Sequence, residues 1–168
     1  MLRKSQISQY KIKKILKCFA ADYSATETAK QLKLNRNTIN RYYHIFRKIC
    51  LLLVTEILSI NSDDKAYIGY MKGEYGPQDY LNVYKINEKT FILIKSKEKP
   101  DNKNRAIADV DFNKFLGFLY SRLSKFHGFN EIGYYYQLYE TSLRHNHTEK
   151  ELFSILWERL RKKPPLNT

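Results

Sequence analysis

Acidic residues are scarce in this chain. Only 17 Asp and Glu stand against 30 Lys and Arg, leaving a formal net charge of +13 over 168 residues. With a pI near 9.6, that balance favours a polyanionic partner. Cysteine is nearly absent: Cys18 and Cys50 are too few for a disulfide framework, and neither has metal-ligand spacing. Both are expected as small core residues. The longest apolar run, Ile49 to Val54, is too short to span a membrane, and no signal-peptide pattern opens the chain. The expectation is a soluble cytoplasmic protein without a membrane partner. The six glycines form no phosphate-cradling loop, no serine or cysteine triad pattern is present, and there is no internal repeat.

What is abundant is apolar and aromatic. Hydrophobic residues make up 43% and aromatics 14%, enough to bury a core and to exclude general disorder. The length admits one good domain, or a small one beside a second that is barely large enough. The positive charge is uneven. Residues 1–58 hold 12 Lys and Arg against three acidic residues, while the remainder carries 18 against 14. That concentration points to nucleic acid contacted by the N-terminal part.

The stretch Ser24 to Lys48 explains why. Ser24 and Glu27 form a capping-box pattern that opens a short helix with Ala25, Ala29 and Leu32 on one face. Leu34-Asn35 interrupts, and a second helix starts near Arg36. In it Ile39, Tyr43, Phe46 and Cys50 share one face, while Asn37, Arg41, His44 and Lys48 repeat the spacing on the other. An amide, a guanidinium, an imidazole and an ammonium in one row suit base edges and phosphates in a major groove. The pattern reads as a helix-turn-helix with the second helix for recognition, and Arg36, Asn37, Thr38, Asn40, Arg41, His44 and Lys48 as DNA-binding residues. A solvated helix pair with an idle polar face is the alternative.

Around this pair the periodicity predicts a first helix capped by Ser5 or Ser8, with Ile12, Ile15, Leu16 and Phe19 as its stripe. The recognition helix is expected to run on through Leu53 and Ile57, and Asn61 to Asp64 to mark a boundary. The expected domains are a three-helix unit over 1–60 and a second over 61–168. In the latter, strands are expected around Ala66–Tyr70, over Tyr80–Ile86 and over Thr90–Lys95, and residues 96–105 read as a charged loop. Three helices complete the reading. One carries Phe112, Phe115, Leu116, Leu119, Leu123 and Phe126 and ends at Gly128. A Tyr-rich one spans Ile132–Arg144, and a last one follows the Thr148–Glu151 capping pattern and stops at Pro164. The fold class is therefore α+β, mostly helical. His145 and His147 read as a solvated polar corner, and Tyr134, Tyr135 and Tyr136 as packing residues.

With these elements placed, the chain resembles the small bacterial insertion-sequence transposases of the DDE class. Arg3-Lys-Ser-Gln-Ile-Ser-Gln-Tyr-Lys11 and Leu34-Asn-Arg-Asn-Thr38 look like the family's opening and recognition helix. Asp64-Lys-Ala-Tyr-Ile-Gly69 is similar to the Asp-Glu-Ser-Tyr-Phe-Gly segment of its first catalytic strand. Leu123-Ser-Lys-Phe-His-Gly128 and Leu143-Arg-His-Asn146 look like the family's end, in the same order. The resemblance implies an N-terminal helix-turn-helix and an RNase H-like catalytic domain. It implies double-stranded DNA with terminal inverted repeats as partner, and Mg2+ or Mn2+ held by carboxylates for in-line phosphoryl transfer.

The departures imply a shortened, defective enzyme. Asp64 fits the first metal and catalytic ligand, but Lys65 stands where the family has Glu, and Asn113 occupies the third acidic position. The central helix and the strand with the second aspartate are missing, and Asp109 and Asp111 are expected to serve as helix caps. Productive metal binding is not expected. The strands would then keep open edges, which the Phe112 helix or a second copy of the protein would cover, so a homo-oligomer is a further candidate. Two other readings stand beside this one: an active transposase with rearranged ligands, and a helix-turn-helix regulator whose second domain mediates association.

Overall fold

A computed structural model describes residues 7–60, 65–72, 80–86, 90–96, 110–124 and 131–162. The described residues are mostly helical: α1 (Gln9–Ala20), α2 (Ala25–Leu32), α3 (Arg36–Ile60), β1 (Lys65–Lys72), β2 (Tyr80–Ile86), β3 (Thr90–Ser96), α4 (Val110–Leu123), α5 (Glu131–Asn146) and α6 (Glu149–Lys162). The chain forms two compact units, one of Met1–Leu52 with His147–Thr168 and one of Leu53–Asn146. None of the described helices is long and apolar enough to cross a membrane.

In the first unit each helix starts and stops for a local reason. Ser8 caps α1, accepting the Lys11 N–H. The chain leaves α1 through Asp22 in a left-handed conformation, φ 62°, and the Tyr23 N–H reaches back to the Cys18 carbonyl at 3.0 Å. Ser24 and Glu27 then close a reciprocal capping box, with the Ser24 N–H 2.8 Å from the Glu27 carboxylate. Helix α2 ends the same way as α1: Lys33 is left-handed at φ 53° and the Leu34 N–H bonds the Ala29 carbonyl at 3.1 Å. Asn35 opens α3 by accepting the Asn37 N–H at 2.7 Å.

The apolar faces meet where the periodicity places them. Ile12, Ile15, Leu16 and Phe19 of α1 are buried, as are Ile39, Tyr43, Phe46 and Cys50 of α3. Phe19 sits edge-on to Tyr43 and Phe46, with ring centroids 5.0 and 5.3 Å away. Helix α2 differs from expectation. Ala25, Ala29 and Leu32 are only half-buried, and the buried side chain is Thr28. Its hydroxyl lies 2.7 Å from the Tyr43 phenol, which donates to the Tyr23 carbonyl at 2.9 Å. Since a phenol has one proton, Thr28 is the donor to Tyr43. A buried hydroxyl is tolerated there because it has a partner.

The last helix corrects the expected domain limits. Leu152, Leu156 and Leu160 of α6 are buried, and α6 packs against α1, so residues after 146 return to the first unit instead of completing a domain over 61–168. An i, i+4, i+8 leucine row fixes which face is buried but cannot say which helix receives it. The other limit also moves: α3 passes residue 52 without interruption, with Val54 buried in the second unit.

In the second unit β1, β2 and β3 form an antiparallel meander in that order. The register slips between Tyr67 and Gly69, so Val83 of β2 lies opposite Gly69 on one side and Leu93 on the other. Val83 packs with Phe115 and Leu119 of α4 and Tyr134 and Leu138 of α5, which lies against β3 and α4. Helix α4 closes at Leu123, short of the expected end, and Phe126 and Gly128 lie outside the described residues.

A charged group missed by the periodicity is sealed beside this core. Glu140 accepts from Arg122 at 3.1 Å and from Arg144 at 2.7 Å, and Arg122 also donates to the Thr141 hydroxyl at 3.3 Å. His145 departs from the expected solvated corner, since it is half-buried with its ring 5.1 Å from Phe115 and 5.5 Å from Phe118. Tyr134 is buried edge-on to Tyr135, a packing role.

Candidate nucleic-acid interface

The first turn of α3 carries positive potential before any side chain is counted. It lies at the positive end of a 25-residue helix and holds no acidic residue, with the Asn37 N–H taken by the Asn35 side chain. The Asn35 cap fixes where the turn begins, and so how Arg36, Asn37 and Thr38 project. An Asn directly before a periodic run is a helix-start signal that the spacing of the polar row does not use.

Beyond the first turn the polar row is intact. Asn37, Arg41 and His44 are exposed, and Lys48 is half-buried. Arg36 and Asn40 are exposed on one flank, and Thr38 is half-buried on the other. Arg47, four residues before Leu51, is withdrawn from the row. Its guanidinium lies over Phe19 at 5.9 Å and Tyr43 at 5.8 Å, bracing α3 on α1. The opposite face of α3 is anchored by Ile39, Tyr43 and Phe46, so the row is held outward by a packed core.

Burial and neighbouring charges disfavour protonation of the imidazole in this row. Partial burial pushes the His44 pKa below its ordinary value of 6.5, and the nearby Lys48 and Arg47 charges push it further. A neutral ring both donates and accepts, which a lysine or arginine cannot do.

Comparison with known protein families, curated proteins and solved structures gives no match. The reading of this surface therefore rests on its own geometry and chemistry.

The metal-site residues are not assembled by the described structure. Asp64 and Asp109 lie outside the described residues. Asn113 is exposed near the start of α4, and Asp111 is the second residue of that helix. Among the described residues no group of three or more His, Cys, Asp and Glu side chains is placed to hold a metal ion. No chemical step is routed through the two-metal ligand set that the resemblance implies. The cysteines are both buried; burial pushes the Cys18 thiol up, which makes it a poor nucleophile.

Proposed function

We propose that the chain is a DNA-binding protein of the insertion-sequence transposase type, with α2 and α3 acting as a helix-turn-helix. The observation that carries this reading is the row Asn37, Arg41, His44 and Lys48, which stands opposite the buried face of α3 and next to an N-terminus free of acidic residues. Its target is double-stranded DNA of the terminal inverted-repeat kind. Base edges are read by Asn37, Arg41 and His44, and phosphates are met by Arg36 and Lys48. The second unit is read as a shortened RNase H-like domain that does not carry out strand transfer: Asn113 is uncharged, and Lys65 disfavours a divalent ion near Asp64.

Titration of a labelled repeat-ended duplex tests both parts. Arg41→Ala is expected to cost about 1–3 kcal/mol in binding and to relax preference at one base position. Lys48→Ala is expected to weaken all duplexes alike and to make the salt slope shallower by about one unit. Unchanged binding in both variants would place the interface elsewhere. With Mg2+ or Mn2+ added, the same duplex is expected to remain uncut; metal-dependent nicking lost in Asp64→Ala would restore the active-enzyme reading.

A further inference from the structure

A second basic surface lies on the first unit, on helices other than α3. On α1, Tyr10, Lys13, Lys14 and Lys17 fall at i, i+3, i+4 and i+7, all exposed and all opposite the buried stripe. On α6, Lys150, Phe153, Trp157 and Arg161 form a row along one flank, with the two rings half-buried. The packing of α6 on α1 brings the rows together, placing the Lys13 ammonium 5.7 Å from the Trp157 ring centroid.

The aromatic groups here are presented as flat platforms. Phe153 and Trp157 are nearly parallel, 9° apart with centroids 6.5 Å distant. Tyr10 is 66% exposed, and Lys14 sits 4.6 Å over its ring. Five cations and three aromatics thus share the surface with no carboxylate in either row. Of the three acidic residues of α6, Glu151 caps its own helix and Glu158 pairs with Lys162, while Glu149 stands exposed at the helix start beside Lys150.

We propose that this α1–α6 surface binds single-stranded nucleic acid, with unpaired bases stacked on Tyr10 and the Phe153–Trp157 pair while Lys13, Lys14, Lys17, Lys150 and Arg161 follow the phosphates. Alternation of ring faces and cations matches a strand that alternates bases and phosphates, and stacking needs no particular base. A duplex offers phosphates alone to such a surface, because its bases are already stacked on each other. An acidic protein would meet the charge but leave the aromatic side chains without a matching partner. The proposal does not depend on the α3 row, since α1 and α3 each turn these residues away from the core they share.

The chain has a single tryptophan, so its fluorescence reports on this surface alone. A 20-nucleotide oligothymidylate is expected to quench Trp157 on titration, with affinity falling as salt rises. Tyr10→Ala and Lys14→Ala alter exposed side chains and leave the core intact; each is expected to weaken oligothymidylate binding by about five- to tenfold, the loss of one stacking or cation contact. Arg41→Ala with Lys48→Ala is expected to leave that titration unchanged while reducing duplex binding, which separates this surface from the helix-turn-helix reading. The proposal is overturned if the oligonucleotide leaves Trp157 fluorescence unchanged, if Tyr10→Ala binds as well as the parent, or if a non-specific duplex quenches and competes equally well. Equal quenching by polyglutamate would likewise assign the surface to charge alone.

Discussion

Lys33 holds the turn between α2 and α3 in a conformation that suits glycine. Its φ of 53° and ψ of 48° are left-handed, where a Cβ crowds the following carbonyl at a cost of roughly 1–2 kcal/mol. The compensation is the bond from the Leu34 N–H to the Ala29 carbonyl, which closes the end of α2 and aims the chain into α3. Lys33→Gly is expected to raise stability by up to about 1 kcal/mol, the strain relieved exceeding the added freedom of the unfolded chain. Lys33→Val is expected to lower it, because a β-branched residue tolerates this region worst. Urea melts of the two variants check the sign of each; Lys33→Gly less stable than the parent would mean that the lysine side chain contributes more than its backbone strain costs. The break at Leu34-Asn35 was legible in the residues, but the left-handed conformation of Lys33 and of Asp22 was not, because both stand where glycine is the usual marker. The Thr28–Tyr43–Tyr23 relay was hidden for a different reason: its partners stand 15 and 20 residues apart, and no local pattern joins them.

Helix ends, by contrast, are local chemistry, and they were largely legible. Ser8, the Ser24–Glu27 pair and the Thr148–Glu151 pair all cap where their types and spacing place them. So do the buried face of α3 and the outward row of Asn37, Arg41, His44 and Lys48, since a 3.6-residue period needs no knowledge of the partner helix. The strands were legible as segments, but the bulge at Tyr67–Gly69 was not, because it depends on the pairing of β1 with β2. The capping boxes carry a pH signature. The Ser24 hydroxyl, then its backbone N–H, hold the Glu27 carboxyl below its ordinary value of 4.5; for Glu151 the Thr148 N–H leads and the hydroxyl follows. A carboxyl lowered by folding stabilises above its unfolded pKa and loses that contribution as pH falls through the folded one. Burial also depresses His44 and His147, so the unfolded chain takes up their protons first and stability declines earlier, from about pH 6.5 downward. Thermal midpoints should therefore fall in two stages, and Glu27→Gln with Glu151→Gln should flatten only the lower one. A lower stage that persists in the double variant would assign it to other carboxylates.

At the scale of the molecule, the first unit is discontinuous and the second is inserted within it. Residues up to 52 and those from 147 onward share one body, so Leu53–Asn146, which includes the last turns of α3, lies between its two segments along the chain. When the second unit unfolds, docking α6 on α1 must close a long flexible loop, an entropic cost that grows only slowly with length. The group that decides the matter is Glu140, 1% exposed and bonded to both Arg122 and Arg144. Such an ion group adds little net stability over an apolar replacement, but removing its carboxylate leaves two guanidinium groups in a dry site. Glu140→Ala is therefore expected to destabilise the second unit by about 3–5 kcal/mol. Hydrogen exchange should then show amides of β2, α4 and α5 losing most of their protection. Those of α1, α2 and residues 36–50 should keep theirs, and α6 should lose part, through the loop cost alone. Duplex binding by the α3 row should survive the change. Equal loss of protection from α1 through α6 would mean instead that the two units open as one, and that the second unit is needed to hold α1, α2 and α3 together.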